Sequence, residues 1–311
     1  MCVLVVGSVA LDSVETPFGV RDEILGGSAT YFSMSASYLA PVKVVAVVGE
    51  DFPEAHVRLL EGRGIDLSGL ARRPGRTFRW KGRYSTSLND AQTLDTQLNV
   101  FEHFEPELPE RCRNSPYVFL GNIDPVLQSR VLDQIERPKL VAADTMNFWI
   151  NGKLDALKKT LERVDLLFVN DAEARQLAGE QNIVRAARAI TSMGPRIVVI
   201  KRGEYGAILF DGKKAFTAPG YPIADVFDPT GAGDTFAGGF MGYLAHADDL
   251  GEKSLRRALV MGSVMASFTI EGFSLDRLTA VSEPEIFERF GHFKDLTAFD
   301  DLGPGALRAA S

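Results

Sequence analysis

Short apolar runs rich in β-branched residues recur up to about residue 200, and helical patterns fill the gaps between them. The runs are Val3–Val6, Lys43–Val48, Tyr117–Leu120, Leu140–Ala142, Leu166–Val169 and Ile197–Ile200. Each is shorter than a buried helix and nearly free of polar alternation, so each reads as a strand covered on both faces. Helical spacing is found at Tyr31–Leu39, Glu54–Arg63, Pro125–Ile135, Gly152–Val164 and Asp171–Ala178. Strands joined through helices run parallel, and a parallel sheet needs cover on both sides. The expected fold class is therefore α/β, a three-layer sandwich around a mostly parallel sheet, with a long helical part after Gly233.

Two segments break this rhythm. Asp12–Ile24 is polar and carries Pro17 and Gly19. Arg76–Phe104 alternates through Phe78, Trp80 and Tyr84 and continues as SLNDAQTLDTQLNV, too long for a plain loop. Both read as strands of a small sheet standing off the main body, suited to cover a cleft or to pair with a second copy. The expected division is a core of residues 1–11, 25–75 and 105–295, a β-lid of residues 12–24 and 76–104, and a tail of residues 296–311. A chain of 311 residues can bury a sizeable core as one such unit.

The formal net charge of −7 argues against a general nucleic-acid binder. It leaves room for a phosphorylated ligand held by local donors. Cys2 and Cys112 form neither a CxxC nor a metal-ligand spacing and read as thiols of a reducing compartment. The opening MCVLVVGSVALDSV lacks a basic leader, and no apolar run reaches a membrane span, so the expected location is the cytoplasm, away from membranes. His56, His103, His246 and His292 are scattered without ligand spacing, and Trp80 and Trp149 read as core or lid contacts.

The stretch with the most chemistry in it is FDPTGAGDTFAGGF, residues 227–240. Pro229 and Gly231 punctuate, and the following TFAGGFMGYLAHA has helical spacing, so GAGD lies where a helix begins. The first N–H groups of a helix lack internal partners and carry partial positive charge, and glycines let an anion approach them closely. Gly231, Ala232 and Gly233 thus make a candidate anion cradle. Asp234 beside it is placed to orient a hydroxyl and take its proton while the cradle stabilises an incoming phosphoryl group. A simple turn with a dipole-complementing acid is the plainer alternative. No GxxxxGK[ST] is present, and GSVALD after the first strand lacks the GxGxxG spacing of a dinucleotide fold.

DPTGAGDTF resembles the C-terminal signature of the ribokinase-like (PfkB) family of small-molecule kinases, and Gly26-Gly27 with Gly49–Asp51 resembles its other hallmark region. The resemblance runs over residues 3–290. It implies a ribokinase-like sandwich with a small β-lid, ATP as phosphoryl donor and Mg²⁺ as its companion. Asn170 and Glu173 follow the strand LLFV and alone form a capping box. The resemblance adds Asn170 at the nucleotide and Mg²⁺ held by Glu173 through water, and these roles can coexist with the cap. Lys201, Gly203 and Gly206 form a glycine turn that the resemblance places at the nucleotide, with Lys201 as counter-charge and Thr230 as a further nucleotide contact. Asp12 reads as a turn former or as an acceptor for two vicinal hydroxyls; the resemblance favours the latter, with the Gly26-Gly27 backbone against the substrate. It also allows K⁺ near Asp228 and Thr230, with a downstream segment such as Ala266–Ser274. One departure stands out. Sugar kinases of this type carry Asn four residues after the second glycine, and this chain has Tyr31, either a stacking ring or a core aromatic.

The expected activity is ATP-dependent phosphorylation of a primary hydroxyl of a small sugar or polyol, with Asp234 as base. A nucleoside kinase of the adenosine type is the alternative within the class. A catalytically idle binding protein on the same scaffold is the alternative outside it. A hydroxymethylpyrimidine-type kinase is disfavoured by the lid segments. A homodimer through the lid is a further expectation.

Overall fold

Alternate residues of the buried runs point to opposite helical layers, and this alternation builds two cores. The computed structural model describes residues 1–86, 88 and 91–300. Its strands are β1 (Val3–Val6), β2 (Ala10–Thr16), β3 (Gly19–Gly26), β4 (Val42–Gly49), β5 (Asp66–Arg73), β6 (Phe78–Tyr84), β7 (Ala91–Gln97), β8 (Tyr117–Leu120), β9 (Leu140–Asp144), β10 (Leu166–Asn170), β11 (Ile197–Lys201), β12 (Ala207–Asp211) and β13 (Lys214–Ala218). The large sheet has the order β13-β12-β11-β10-β9-β8-β1-β4-β5. It is parallel from β5 to β11, and the β12–β13 hairpin closes one edge antiparallel.

Val3 and Val5 face one core with the helices Ser28–Ala36, Ala232–Ala247 and Glu252–Thr269. Leu4 and Val6 face the other with the helices Pro125–Leu132, Leu154–Leu161, Asp171–Ala178 and Ile183–Thr191. Rings weld the first core: Phe32 stacks on Phe119 at 4.2 Å, and Phe168 meets Phe240 edge-on at 5.3 Å. Among the described residues no helix is long and apolar enough to cross a membrane.

The second, four-stranded sheet has the order β3-β2-β6-β7 and is drawn from the two segments that broke the sequence rhythm. Its outer strand β7 is exposed along its whole length. The sheet touches the body through Phe18 on Phe227, with ring centres 4.8 Å apart, and through the Arg21 guanidinium over the Phe273 ring.

Several boundaries differ from the sequence reading. The helix expected at Tyr31–Leu39 starts at Ser28, because Gly27 at φ 94° turns the chain directly into it. The helix expected at Gly152–Val164 spans Leu154–Leu161, and a separate short helix, Asn147–Gly152, precedes it, parted at Lys153 with φ −141°. Strand β5 has no counterpart in the expected set, since its half-exposed sequence DLSGLARR gives no apolar run. The expected tail begins within the helix Glu283–Thr297, and residues 301–311 lie outside the described residues.

Parallel strands share a carboxyl edge, and ligands of open α/β sheets bind beyond it. Here that edge brings Asp144, Asn170 and Lys201 into adjacent register: Phe168 pairs with Asp144, and Asn170 with Lys201.

Candidate active site

The helix Ala232–Ala247 starts in the manner expected for an anion cradle. Its cap residue Gly231 sits at φ 73° with no side chain to satisfy the first amides. The Ala232 N–H is taken by the Pro229 carbonyl at 3.1 Å. The Gly231, Gly233 and Asp234 N–H groups have no acceptor among the described residues. So Ala232 contributes backbone shape, while its neighbours carry the free donors. The preceding loop is fixed by Asp228, whose carboxylate accepts from Thr230 N–H at 2.9 Å and Ser274 N–H at 3.3 Å. Phe227 N–H donates to the Ile270 carbonyl at 2.8 Å, so the segment Ala266–Ser274 does lie against this loop. Burial pushes the Asp228 carboxyl above its ordinary range.

Asp234 is the last residue of the free-amide run and keeps partial solvent access. Among the described residues its carboxylate accepts no hydrogen bond, so it is not spent on its own helix. Burial pushes it up to about 7, with Asp144 and Glu173 adding and Lys201 opposing. Lys201 reaches in from the end of β11, where its Nζ lies 2.8 Å from Asp144 Oδ2. Burial works against this ammonium, but Asp144, Glu173 and Asp234 together hold its pKa above the ordinary lysine value.

Asn170 and Glu173 form the expected capping box. Asn170 Oδ1 accepts the Glu173 N–H at 2.7 Å, and Glu173 Oε2 accepts the Asn170 N–H at 2.8 Å. Glu173 Oε1 has no partner among the described residues, and burial with nearby Asp144 pushes the carboxyl up to about 7. Those residues contain no group of three or more His, Cys, Asp or Glu able to hold a metal by themselves. One free carboxylate oxygen beside a lysine fits Mg²⁺ that arrives on phosphates and keeps its water, not a metal caged by protein.

Asp12 approaches from the other side. It lies in β2, is 4% exposed, and its Oδ2 fills the space a Cβ on Gly26 would need, at 1.9 Å. Gly27 is equally constrained: a Cβ there would lie 2.5 Å from the Ser8 carbonyl oxygen, at a φ that L-residues avoid. Burial pushes Asp12 up to about 7; Asp228 and Asp234 add to the shift and the Gly27 amide opposes it. The glycine pair is therefore a wall with a carboxylate set into it.

Tyr31 is 1% exposed, and its ring packs so closely beneath Gly231 that a Cβ there would lie 2.2 Å from Cδ2. Its hydroxyl is buried without a partner among the described residues. Burial, then Asp12, Asp228, Tyr84 and Asp234, push the phenol upward, so that hydroxyl feels these carboxylates. The ring is thus a support for the cradle, and the hydroxyl is what remains near Asp12. Tyr84 of the small sheet joins them, with its hydroxyl 3.2 Å from Thr230 Oγ1.

Gly203 opens a single turn, Gly203–Tyr205, and Gly206 leads into β12, where a Cβ would lie 2.1 Å from the Ala218 carbonyl oxygen. These glycines shape the edge beyond Lys201. The sequence reading did not single out Asp144. A lone acid ending a buried strand, LVAAD, is its signal, and its partner Lys201 lies 57 residues away.

A family model described as "pfkB family carbohydrate kinase" matches residues 13–278. The chain belongs to the PfkB family. This kinase is 31% identical over 244 residues to a cytidine kinase of Thermococcus kodakarensis, covering 76% of this chain and 86% of that protein. It is 33% identical over 249 residues to an ATP-dependent ribose-1-phosphate kinase of Halopiger xanaduensis, covering 78% and 80%. The solved nucleoside kinase of Methanocaldococcus jannaschii superposes with a TM-score of 0.76 at 19% identity, covering 94% of this chain and 98% of that one. The fold of the PfkB kinase is thus ribokinase-like, and its activity class is phosphotransfer to an alcohol.

Proposed function

We propose that the kinase transfers the γ-phosphoryl group of ATP to the primary hydroxyl of a ribose ring carried by a neutral nucleoside. The observation that carries this reading is that Asp234 stands beside the free amides of Gly231 and Gly233 and is near enough to Asp12 for its charge to act on that carboxyl. A ribose ring is common to cytidine, ribose-1-phosphate and nucleosides, the compounds in the relatives' names. The choice among them follows from charge. The charged groups acting on Asp12 are Asp228 and Asp234, both carboxylates. A phosphorylated sugar would bring a dianion against them, whereas a nucleoside brings none.

In this reading Asp12 accepts hydrogen bonds from the ring hydroxyls, and the Gly26-Gly27 backbone limits the space behind them. Asp234 takes the proton of the primary hydroxyl as its oxygen attacks the γ-phosphorus and the bond to the ADP oxygen breaks. The Gly231 and Gly233 amides receive charge on the transferring group, and Lys201 faces the nucleotide phosphates beside the Gly203 and Gly206 turn. Mg²⁺, held by Glu173 through water, supplies positive charge across those phosphates when bound. Asp228 and Thr230 order the loop; K⁺ near them would add to that task. The small sheet, with Tyr84 on Thr230, excludes water from the transfer.

The test is ADP formation from Mg-ATP with cytidine, inosine, ribose or ribose-1-phosphate. ADP is expected only with an acceptor present, and at the highest kcat/KM with a nucleoside. Preference for ribose would return the assignment to sugars, and no transfer to any acceptor would support an idle binding protein. Asp12→Asn is expected to raise the acceptor KM by about 10- to 100-fold, the value of hydrogen bonds to a charged group. Its kcat should change little. An unchanged KM would remove Asp12 from acceptor recognition.

A further inference from the structure

The charged groups around Asp234 come from several elements. Asp144 ends β9, Glu173 lies in the helix Asp171–Ala178, and Lys201 ends β11. On the acceptor side Asp12, Tyr31 and Tyr84 feel the Asp234 charge in turn. Within this set Asp144 is the member with both oxygens committed. Oδ1 accepts its neighbour's Thr145 N–H at 2.8 Å, and Oδ2 receives the Lys201 ammonium at 2.8 Å.

The backbone beneath it is also held. Gln128 Nε2 donates to the Asp144 carbonyl at 3.0 Å and to the Gly121 carbonyl at 2.9 Å, which ties two strand ends to one helix. Asp144 is 4% exposed and the Lys201 side chain 17%. A lysine ammonium on four rotatable carbons does not keep one position unaided. Here it keeps a position that the cradle shares: Nζ lies 2.9 Å from where a Cβ on Gly233 would stand.

We propose that Asp144 is a positioning residue for the transfer step: it anchors the Lys201 ammonium against the Gly233 end of the anion cradle and thereby sets the charge balance felt by Asp234. Its role in transfer rests on the kinase reading above; the charge coupling itself does not. A buried ion pair that anchored nothing would act on Asp234 through its two charges independently: losing Asp144 would favour the ionised Asp234 by the same amount with or without the ammonium, and losing Lys201 would disfavour it. An anchor adds a coupling. Losing Asp144 then also frees the ammonium to leave the cradle, which offsets part of that gain, so the effect of losing Asp144 is larger where Lys201 is already absent.

The experiment is a ¹³C NMR titration of aspartate carboxyls in the full-length protein without nucleotide or Mg²⁺, with the Asp234 signal assigned by its loss in Asp234→Asn. In Lys201→Met the midpoint is expected to rise by about 0.5 or more in pH, and Asp144→Asn is expected to lower it by about 0.5 or more further in the Lys201→Met background than in the otherwise unaltered protein. Gly233→Ala keeps both charges but crowds the ammonium away, and its midpoint should rise as well, which keeps the test decisive should Asp144→Asn not fold. An Asp144→Asn shift of the same size in both backgrounds overturns the proposal, as does a Gly233→Ala midpoint that stays in place.

In the transfer assay, Asp144→Asn should lower kcat about tenfold, the value of one charge-assisted hydrogen bond, with acceptor KM within about twofold. Background-dependent Asp144→Asn shifts in a protein that phosphorylates no acceptor would refute the kinase reading and leave the coupling standing. Unmoved midpoints in an active kinase would do the opposite.

Discussion

Asp234→Asn is expected to lower kcat by at least ~10²-fold while the KM for ATP stays near that of the unaltered protein. General-base assistance contributes about 10²- to 10⁴-fold, and an amide of the same shape cannot accept the proton. The selectivity of the effect follows from the geometry. Asp234 makes no hydrogen bond to the described residues, so the substitution breaks no scaffold contact, and the free amides of Gly231 and Gly233 remain. Burial and the neighbouring Asp144 and Glu173 push the carboxyl up to about 7, against Lys201. It is neutral below that value and ionised above it. A base must be ionised, so kcat/KM of the unaltered protein should climb as pH rises through about 7. Asp12 is pushed up to about 7 as well, so the acid limb belongs to both groups. In Asp234→Asn the residual rate should lose the Asp234 part of that limb. Steady-state rates from pH 5.5 to 9 check both statements; a near-normal kcat in the variant would take the proton-abstracting role away from this residue.

The second large effect is expected at Gly231. An alanine there must adopt φ near 73°, and its methyl would stand 2.2 Å from the Tyr31 ring. The left-handed conformation costs an L-residue about 1–2 kcal/mol, and overpacking a core adds about 1–3 kcal/mol. The ring cannot swing aside, because Tyr31 is fully buried between the cradle and the first core. Gly231→Ala should therefore destabilise the protein by about 2–5 kcal/mol, measured by denaturant unfolding. Surviving protein should lose phosphotransfer, since the cradle amides move with the residue. Combining it with Tyr31→Leu should recover the packing part of the loss but not the conformational part. If the double variant recovers nothing, the clash with Tyr31 is not the cause.

Features set by local chemistry could be read from the sequence directly. Leu166–Val169 has no polar residue to place in water, so it had to be a central strand, and it is. The helix start at GAGD follows from glycine and proline chemistry within a few residues. Strand β5 was hidden because it covers an edge, where apolar and charged residues mix. The parallel pairing of β2 with β6 was hidden because partner choice between distant segments leaves no mark in either one.

The site divides along the same line. Asp234, Glu173 and Lys201 stood in recognisable strings, whereas Asp144 matters only through a lysine brought beside it by strand order. The Ala232 amide was expected to be free, but the carbonyl of Pro229 claims it, which residue types alone do not reveal. Tyr31 was open between stacking and core; its ring is in the core and its hydroxyl is left among acids.

Strand β2 has one more implication. It belongs to the small sheet by pairing with β3 and β6, and it also carries Asp12. On the proposed reading, a hinge-like displacement of that sheet from the body would drag the carboxylate along, so opening the roof would also take apart that wall of the binding chamber. Gripping a guest and shutting the door would then be, mechanically, the same movement.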